Sequence, residues 1–474
     1  MERQRSSARR HWVVASLPVL IAQTALLILW DPTRSGGLFL VIMAFGFSGM
    51  VWAVKRLGVG GGEREPSRGL TLPRMLAVAL LLRVVALPLP ATLSDDIYRY
   101  IWDGTVVLAG FNPYSHAPDA EVLVPLRDEV WEKTAHRGVE TVYPPVAEGL
   151  FSIAAATPIP QLLLKTLIAL LDLLGCVALW SLAVRRGVDV ARTLAYAWNP
   201  LVVLEGAGMG HVDAAGVAAT VIAVWALLRM RDSGRTGDLL KSAVAGSVGV
   251  LIKLVPVVAV PLWIAIGGGR FALAIGLLLA VGVVPVLVAT GGVPPGLVTY
   301  GVSWEFNGPL FEPLYRLLDL LDVDVRLKAV VEWLKHTLEV YEPLDRLYPY
   351  IYPQFLAKAC LAIGVIGLVV ASLRERDDWV GSGGRLLRRV LLFSATLYPW
   401  YLTWAMPWAA LAWRRSWLLL AATIQLAYLP RLFGIEYFPW VYLWIWIPFA
   451  LVAGWERWKK PSAPGAAPRV ATTR

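Results

Sequence analysis

The residues best equipped for chemistry are two adjacent carboxylates, Asp95 and Asp96, at the head of the stretch 94–104, which directly follows an apolar run over 72–90. Their local role is easily read. Ser94 caps a helix, the two acids complement the positive end of its dipole, and Arg99, one turn on, pairs back to them. A helix start alone does not call for two acids side by side at a membrane edge. A carboxylate placed there can take the proton from an incoming hydroxyl. One base is enough, so the pair divides its roles. Asp95, nearer the end of the apolar run, is the first choice for the base, and Asp96 then orients a sugar or holds Arg99.

A second group follows further along the chain. His211 precedes Asp213 by two residues, beside a glycine-rich segment. Its ring is either satisfied by a neighbouring carbonyl or free to contact a phosphate or a sugar, with Asp213 orienting it. Lys253 lies inside a long apolar stretch, and an ammonium there has to face protein, water or an anion. It either snorkels, pairs with Glu205, or reaches a cavity and binds phosphate, because Pro256 breaks the helix next to it. Trp304, Glu305 and Asn307 are suited to stacking on and hydrogen-bonding a sugar. In a chain with 22 tryptophans they also fit an interfacial aromatic belt. Lys165 and Asp172 fall two turns apart on one helical face and read as an internal pair. Arg83 lies deep in its apolar run and is given no function. Asp95, Asp96 and Asp103 are chemically able to hold a divalent ion, but no metal and no cofactor is expected.

The elements that position these groups are set by composition. Hydrophobic residues make up 57% of the chain and charged residues 16%, with a mean hydropathy of +0.60. A soluble chain carries about a quarter charged residues, so this one needs lipid as its solvent. Strands of alternating polarity are absent, which leaves an all-α, polytopic transmembrane helix bundle. Clear apolar spans lie at 12–30, 37–54, 72–90, 161–184, 212–228, 271–289, 351–373 and 438–455. Shorter pieces at 191–205, 240–252, 254–266, 387–400, 401–413 and 416–430 are interrupted by prolines. The total is about 12–14 membrane helices, several short or broken. Broken helices survive at membrane depth only where protein or a wet cavity satisfies the freed groups, so the C-terminal half is expected to surround a cavity. The first run, 12–30, is too long for a signal h-region and lacks a small-residue cleavage site, and it reads as a retained span.

The net charge of +10 is not a nucleic-acid signature, because the arginines and lysines gather in short loops: 3–10, 55–74, 185–192, 229–241, 374–389, 414–415 and 457–460. That is the cytoplasmic pattern. It puts two long hydrophilic segments, 91–145 and 303–350, on the extracytoplasmic side of the cell membrane and both termini inside. Within this single polytopic domain, 461–474 reads as a flexible cytoplasmic tail. The piece 146–157 fits as a short helix on or dipping into the outer face. Cys176 and Cys360 read as small core hydrophobes. No internal repeat and no phosphate-binding glycine loop for ATP is present.

In order along the chain, the stretch from Ser94 to Tyr114 resembles the first outer loop of GT-C superfamily membrane glycosyltransferases, most closely bacterial polyprenyl-phosphate-mannose-dependent mannosyltransferases. The matching pieces are Asp95-Asp96, Tyr98-Arg99-Tyr100, Trp102-Asp103-Gly104 and Asn112-Pro113-Tyr114. After them come Tyr143-Pro144-Pro145, Asn199-Pro200-Leu201, Glu205-Gly206-Ala207-Gly208, Gly210-His211-Val212-Asp213, Lys253 before Pro256, Trp304-Glu305-Phe306-Asn307 and Tyr398-Pro399-Trp400-Tyr401. The resemblance implies a lipid-linked sugar donor and an acidic base in the first outer loop. On that reading an inverting transferase moves a hexose, mannose first, from a polyprenyl phosphate to an envelope glycolipid or glycan. Asp95 and Asp96 are then the catalytic pair, and His211, Lys253 and Arg99 hold the donor phosphate. Tyr98, Asp103, Asn112, Tyr143, Glu205, Asp213, Trp304, Glu305, Asn307, Trp400 and Tyr401 bind sugar or acceptor. The partners are donor, acceptor and membrane lipid, without nucleic acid. The alternative is a transporter or lipid flippase, whose sites lie near the midplane between repeats.

Overall fold

The computed structural model describes residues 2–58, 69–375 and 377–459. The tail 461–474 and most of the basic loop 57–71 lie outside the described residues. The architecture is an all-α polytopic bundle. Among the described residues, eight helices are long and apolar enough to cross a membrane, and the only β-pairing is two isolated bridges, from Thr396 to Phe306 and to Asn307.

Proline decides where the elements break, because it lacks the amide donor a helix needs. The expected span 72–90 ends as a helix at Ala86, ahead of Pro88 and Pro90, and the chain then turns towards Asp95. The piece 191–205 becomes short helices Leu194–Ala197 and Pro200–Val203, followed by a π-turn at Leu204–Gly208. Asn199 caps the second of these by accepting from the Leu201 amide at 3.0 Å. The pieces 387–400 and 401–413 are likewise short helical turns, whereas 416–430 lies within the continuous helical span Arg415–Phe433. The piece 240–252 forms a regular helix, Thr236–Ile252. The pieces 254–266 and 271–289 join in helix Val260–Thr290, kinked at Gly268. The piece 146–157 is helix Pro145–Ala155, too short to cross a bilayer.

Two sequence expectations are corrected. Lys165 and Asp172 do not pair. Lys165 donates to the Leu89 carbonyl, whereas Asp172 takes the Arg83 guanidinium at 2.7 Å and the Tyr196 hydroxyl. Arg83 also reaches the Ala197 carbonyl at 2.9 Å, so this buried ion pair locks the broken segment onto two long helices. Cys360 is exposed on helix Pro353–Arg374, unlike the buried Cys176, because that helix is packed on one side only.

The basic connections meet at one end of the bundle. There Arg185 pairs with Asp232, Arg186 with Asp378, and Arg192 reaches the Leu411 carbonyl. The segments 91–145 and 303–350 meet at the other end, where the His136 ring lies 4.6 Å from that of Trp304.

Candidate active site

A cavity of about 540 Å³ opens at the end where the two long segments meet. Part of its wall is apolar, built from Leu254, Val255, Val258, Leu297, Val390 and Leu391, and part is polar.

Helix Asp96–Leu108 starts in that polar wall. Ser94 caps it as expected, its hydroxyl accepting the Asp96 amide at 3.2 Å. The two carboxylates then diverge. Asp95 is held by Arg431, whose Nη1 and Nη2 donate at 3.0 and 2.7 Å. Asp96 has no arginine. Its nearest partners are the Tyr100 hydroxyl at 3.4 Å and His211 Nδ1 at 3.6 Å. Burial works against ionisation of Asp96, but His211 and the nearby Lys253 outweigh it and hold the carboxyl below its ordinary range. Asp96 therefore presents a free, ionised carboxylate to the cavity. Arg99 does not pair back to the acids. It runs forward to Asp103, with Nε at 2.8 and 2.9 Å from the two oxygens, and its Nη1 donates to the His136 carbonyl.

Lys253 pairs with Asp213 at 2.8 Å instead of Glu205, and it sits 4.1 Å above the Tyr401 ring. Asp213 is oriented by the Trp404 indole at 2.7 Å, so it holds Lys253 and not His211. His211 is buried, stacked 3.9 Å from Trp400, with Glu205 on its far side at 3.5 Å. Glu205 accepts the Tyr428 hydroxyl at 2.9 Å.

Of the expected residues, the structure brings Asp95, Asp96, Arg99, Tyr143, Lys253, Trp304, Trp400 and Tyr401 to the cavity lining. His211, Asp213 and Glu205 stand directly behind them. Five stand apart. Tyr98 lies under Lys133 beside an adjoining outer cleft. Asp103 is taken up by Arg99. Asn112 shapes a turn by accepting the Tyr114 amide. Glu305 pairs with Lys358. Asn307 is buried and ties the second segment to Tyr437, Trp446 and the Leu397 carbonyl. Among the described residues, no group of three or more His, Cys, Asp or Glu side chains converges on a metal position.

Sequence reasoning missed Arg431, Tyr300, Tyr428 and His136, all of which line the cavity. Arg431 did not stand out from the other cations of that end, such as Arg127 and Arg137. The tyrosines did not stand out among 16 in the chain.

Fold and site together define a polytopic membrane protein with an acid-, cation- and aromatic-lined cavity at one end of its helices. The family model for the alpha-(1->6)-mannopyranosyltransferase N-terminal domain matches residues 6–269, and the chain belongs to that family. It is therefore a glycosyltransferase of a mannosyltransferase family. No curated protein and no solved structure matches the chain.

Proposed function

We propose that the protein transfers mannose from a polyprenyl-phosphate donor to a glycan or glycolipid acceptor at the extracytoplasmic face of the cell membrane, with Asp96 as general base. The observation that carries this reading is one cavity whose walls divide the work. The ionised Asp96 faces it, Lys253, Arg99 and Arg431 supply positive charge, and an apolar strip from Leu254 to Val258 runs alongside. A lipid-linked sugar phosphate has those same three parts.

Asp96 takes the proton of the acceptor hydroxyl as its oxygen attacks the anomeric carbon, and the polyprenyl phosphate leaves as a stable anion. The cations meet the charge that grows on the phosphate, so positioning and electrostatics do most of the work. A single displacement inverts the anomeric centre. An alpha-(1->6) product of the kind the family description names then requires a donor with mannose beta-linked to phosphate. Segregation of arginine and lysine supports an extracytoplasmic cavity, since the basic connections gather at the opposite end.

The test incubates purified protein with beta- and alpha-linked polyprenyl-phosphate mannose carrying a labelled sugar. Transfer from the beta-linked donor alone, giving an alpha-linked product, is expected. Transfer from a nucleotide sugar without the lipid phosphate would overturn the donor assignment. A transporter or flippase reading has no observation in its favour, since the cavity lies at one end of the bundle and the family is one of transferases.

A further inference from the structure

Both ring nitrogens of His211 are buried and lack any hydrogen-bond partner, although the residue is only 1% exposed. Buried polar atoms are rarely left so. Each nitrogen instead faces a carboxylate at ion-pair distance, with Asp96 Oδ2 3.6 Å from Nδ1 and Glu205 Oε2 3.5 Å from Nε2. Such contacts are commonly long before substrate binds and tighten in the reacting complex.

The backbone is built for this placement. Glu205 lies in the π-turn Leu204–Gly208, a form of helix frequent at functional sites. Its carbonyl accepts the His211 amide at 2.9 Å. Gly210 between them has φ +81°, and a β-carbon there would lie 2.7 Å from Ile97, the neighbour of Asp96. Trp400 stacks parallel to the imidazole, and Tyr428 donates to both Glu205 oxygens at 2.9 and 3.0 Å.

We propose that His211 is a positioning residue that receives the acceptor's proton from Asp96, while Glu205 holds the imidazolium so formed. This rests on Asp96 being the base. The acceptor O–H breaks as an Asp96 O–H forms. That O–H then breaks as Nδ1–H forms, on a ring that starts neutral with its proton on Nε2, the nitrogen 3.5 Å from Glu205. Asp96 is thereby returned to its ionised form while the sugar is still in place, so the proton is not handed back to the new glycosidic oxygen. The groups facing this relay are Asp96 and Tyr100 from helix Asp96–Leu108, Glu205 from the π-turn, Asp213 and its partner Lys253, and Tyr428.

The test combines chemical rescue with a pH profile. His211→Ala is expected to lower kcat by about 10²-fold, the low end of a proton-transfer contribution, with donor KM nearly unchanged. Added imidazole should restore turnover, and pyrazole, of the same shape but a far weaker base, should not. Equal rescue by pyrazole would mean that the ring only fills space and would overturn the proposal, as would near wild-type kcat in the variant. Glu205→Gln keeps the side chain's shape and does not depend on the alanine variant folding. It should lower the maximum of kcat and remove the rise towards pH 8 that follows ionisation of Glu205, whose buried carboxyl is pushed up to about 8, and a wild-type profile would overturn the proposal. Asp96→Asn separates the two readings. Activity in that variant sinks the base assignment itself. An inactive Asp96→Asn beside wild-type profiles in the two other variants sinks the relay alone.

Discussion

The two long connecting segments at the cavity end are built in different ways. The first, 91–145, has a core of its own in Trp102, Val106 and Leu123. It is pinned by the Arg99–Asp103 pair and a Thr141–Glu148 hydrogen bond of 2.6 Å. The second, 303–350, forms helices Phe311–Leu320 and Val323–Leu338, each with a single buried residue, Phe311 and Val331. Most of its ion pairs have at least one exposed partner, as in Glu342–Arg346 and Lys335–Asp345. Its entry from Trp304 to Asn307 is tied into the bundle, and so is the start of helix Phe311–Leu320, where Phe311 packs on Ala357 and Leu361. The first segment holds Asp95, Asp96 and Arg99 to a fixed geometry, and the second contributes its entry to the cavity wall and leaves helix Val323–Leu338 at the surface. Substitutions should therefore hurt in proportion to how deeply each segment is packed.

The largest loss is expected at Asp96. Asp96→Asn keeps the shape but cannot accept a proton, so turnover should fall roughly 10²–10⁴-fold with donor binding retained. Asp95→Asn should cost far less, because its role is to hold Arg431 at the cavity rim. Transfer and donor binding measured on both variants decide this. A larger loss at Asp95 would reverse the division of labour.

Next comes the cation. Lys253→Met removes the charge that Asp213 and the Tyr401 face hold in place. Donor affinity should drop by about tenfold or more, since truncating one partner of a part-buried pair also strands the other. Unchanged donor affinity in a binding assay would make the lysine purely structural.

Packing in the first segment ranks third. Gly104 faces helix Pro145–Ala155 so closely that a β-carbon would collide with the Phe151 carbonyl. Gly104→Ala should destabilise the protein by about 1–3 kcal/mol, as overpacking does, and lower activity by shifting Asp96. A thermal melt alongside the transfer assay checks both effects. Wild-type stability would show that the two helices separate without cost.

Much of this was legible in the sequence, and the reasons are specific. Hydropathy marked the long spans because lipid demands continuous apolar runs. Prolines such as Pro200 and Pro399 marked the broken pieces. The acidic pair stood out by its place at the end of an apolar run. Partnerships across the chain were not legible. Asp95 meets Arg431, 336 residues away, and Glu205 meets Tyr428, 223 away. Helical spacing suggests only neighbours three or four residues off, which is why Arg99 was expected to pair backwards and Lys165 with Asp172. Asn307 and Glu305 looked like sugar ligands because their residue types suit sugars, whereas the fold uses both as ties.

A smaller effect separates Asp96 from its neighbours through pH. Its carboxyl is held low in the folded protein, so the stabilisation it contributes is fully present above the ordinary carboxylate range. That part is lost as pH falls through the folded value. Asp96→Asn should flatten the acid side of the melting-temperature curve relative to wild type between about pH 5 and 3, the region below and around the usual Asp value. Parallel curves for the two proteins would remove the electrostatic link between Asp96, His211 and Lys253.

The smallest effect belongs to the outer helices of the second segment, and it is the sharpest check on the comparison. Lys335 on helix Val323–Leu338 pairs with Asp345 at 2.8 Å and with Glu332 at 3.5 Å, and it lies near the Tyr348 ring. By a simple count of contacts this residue looks as well connected as Arg99. The difference is the exposure of its partners, since Asp345 and Glu332 are 51% and 43% exposed whereas Asp103 is 2% exposed. Exposed ion pairs lose most of their Coulomb attraction to water and salt, and ordering two long side chains offsets much of the remainder. Lys335→Ala should therefore leave transfer activity and the unfolding midpoint indistinguishable from wild type, in both low and high salt. If instead it lowered turnover as much as Gly104→Ala does, helix Val323–Leu338 would be part of the acceptor-binding wall, and the contrast between a packed catalytic segment and a peripheral one would fail.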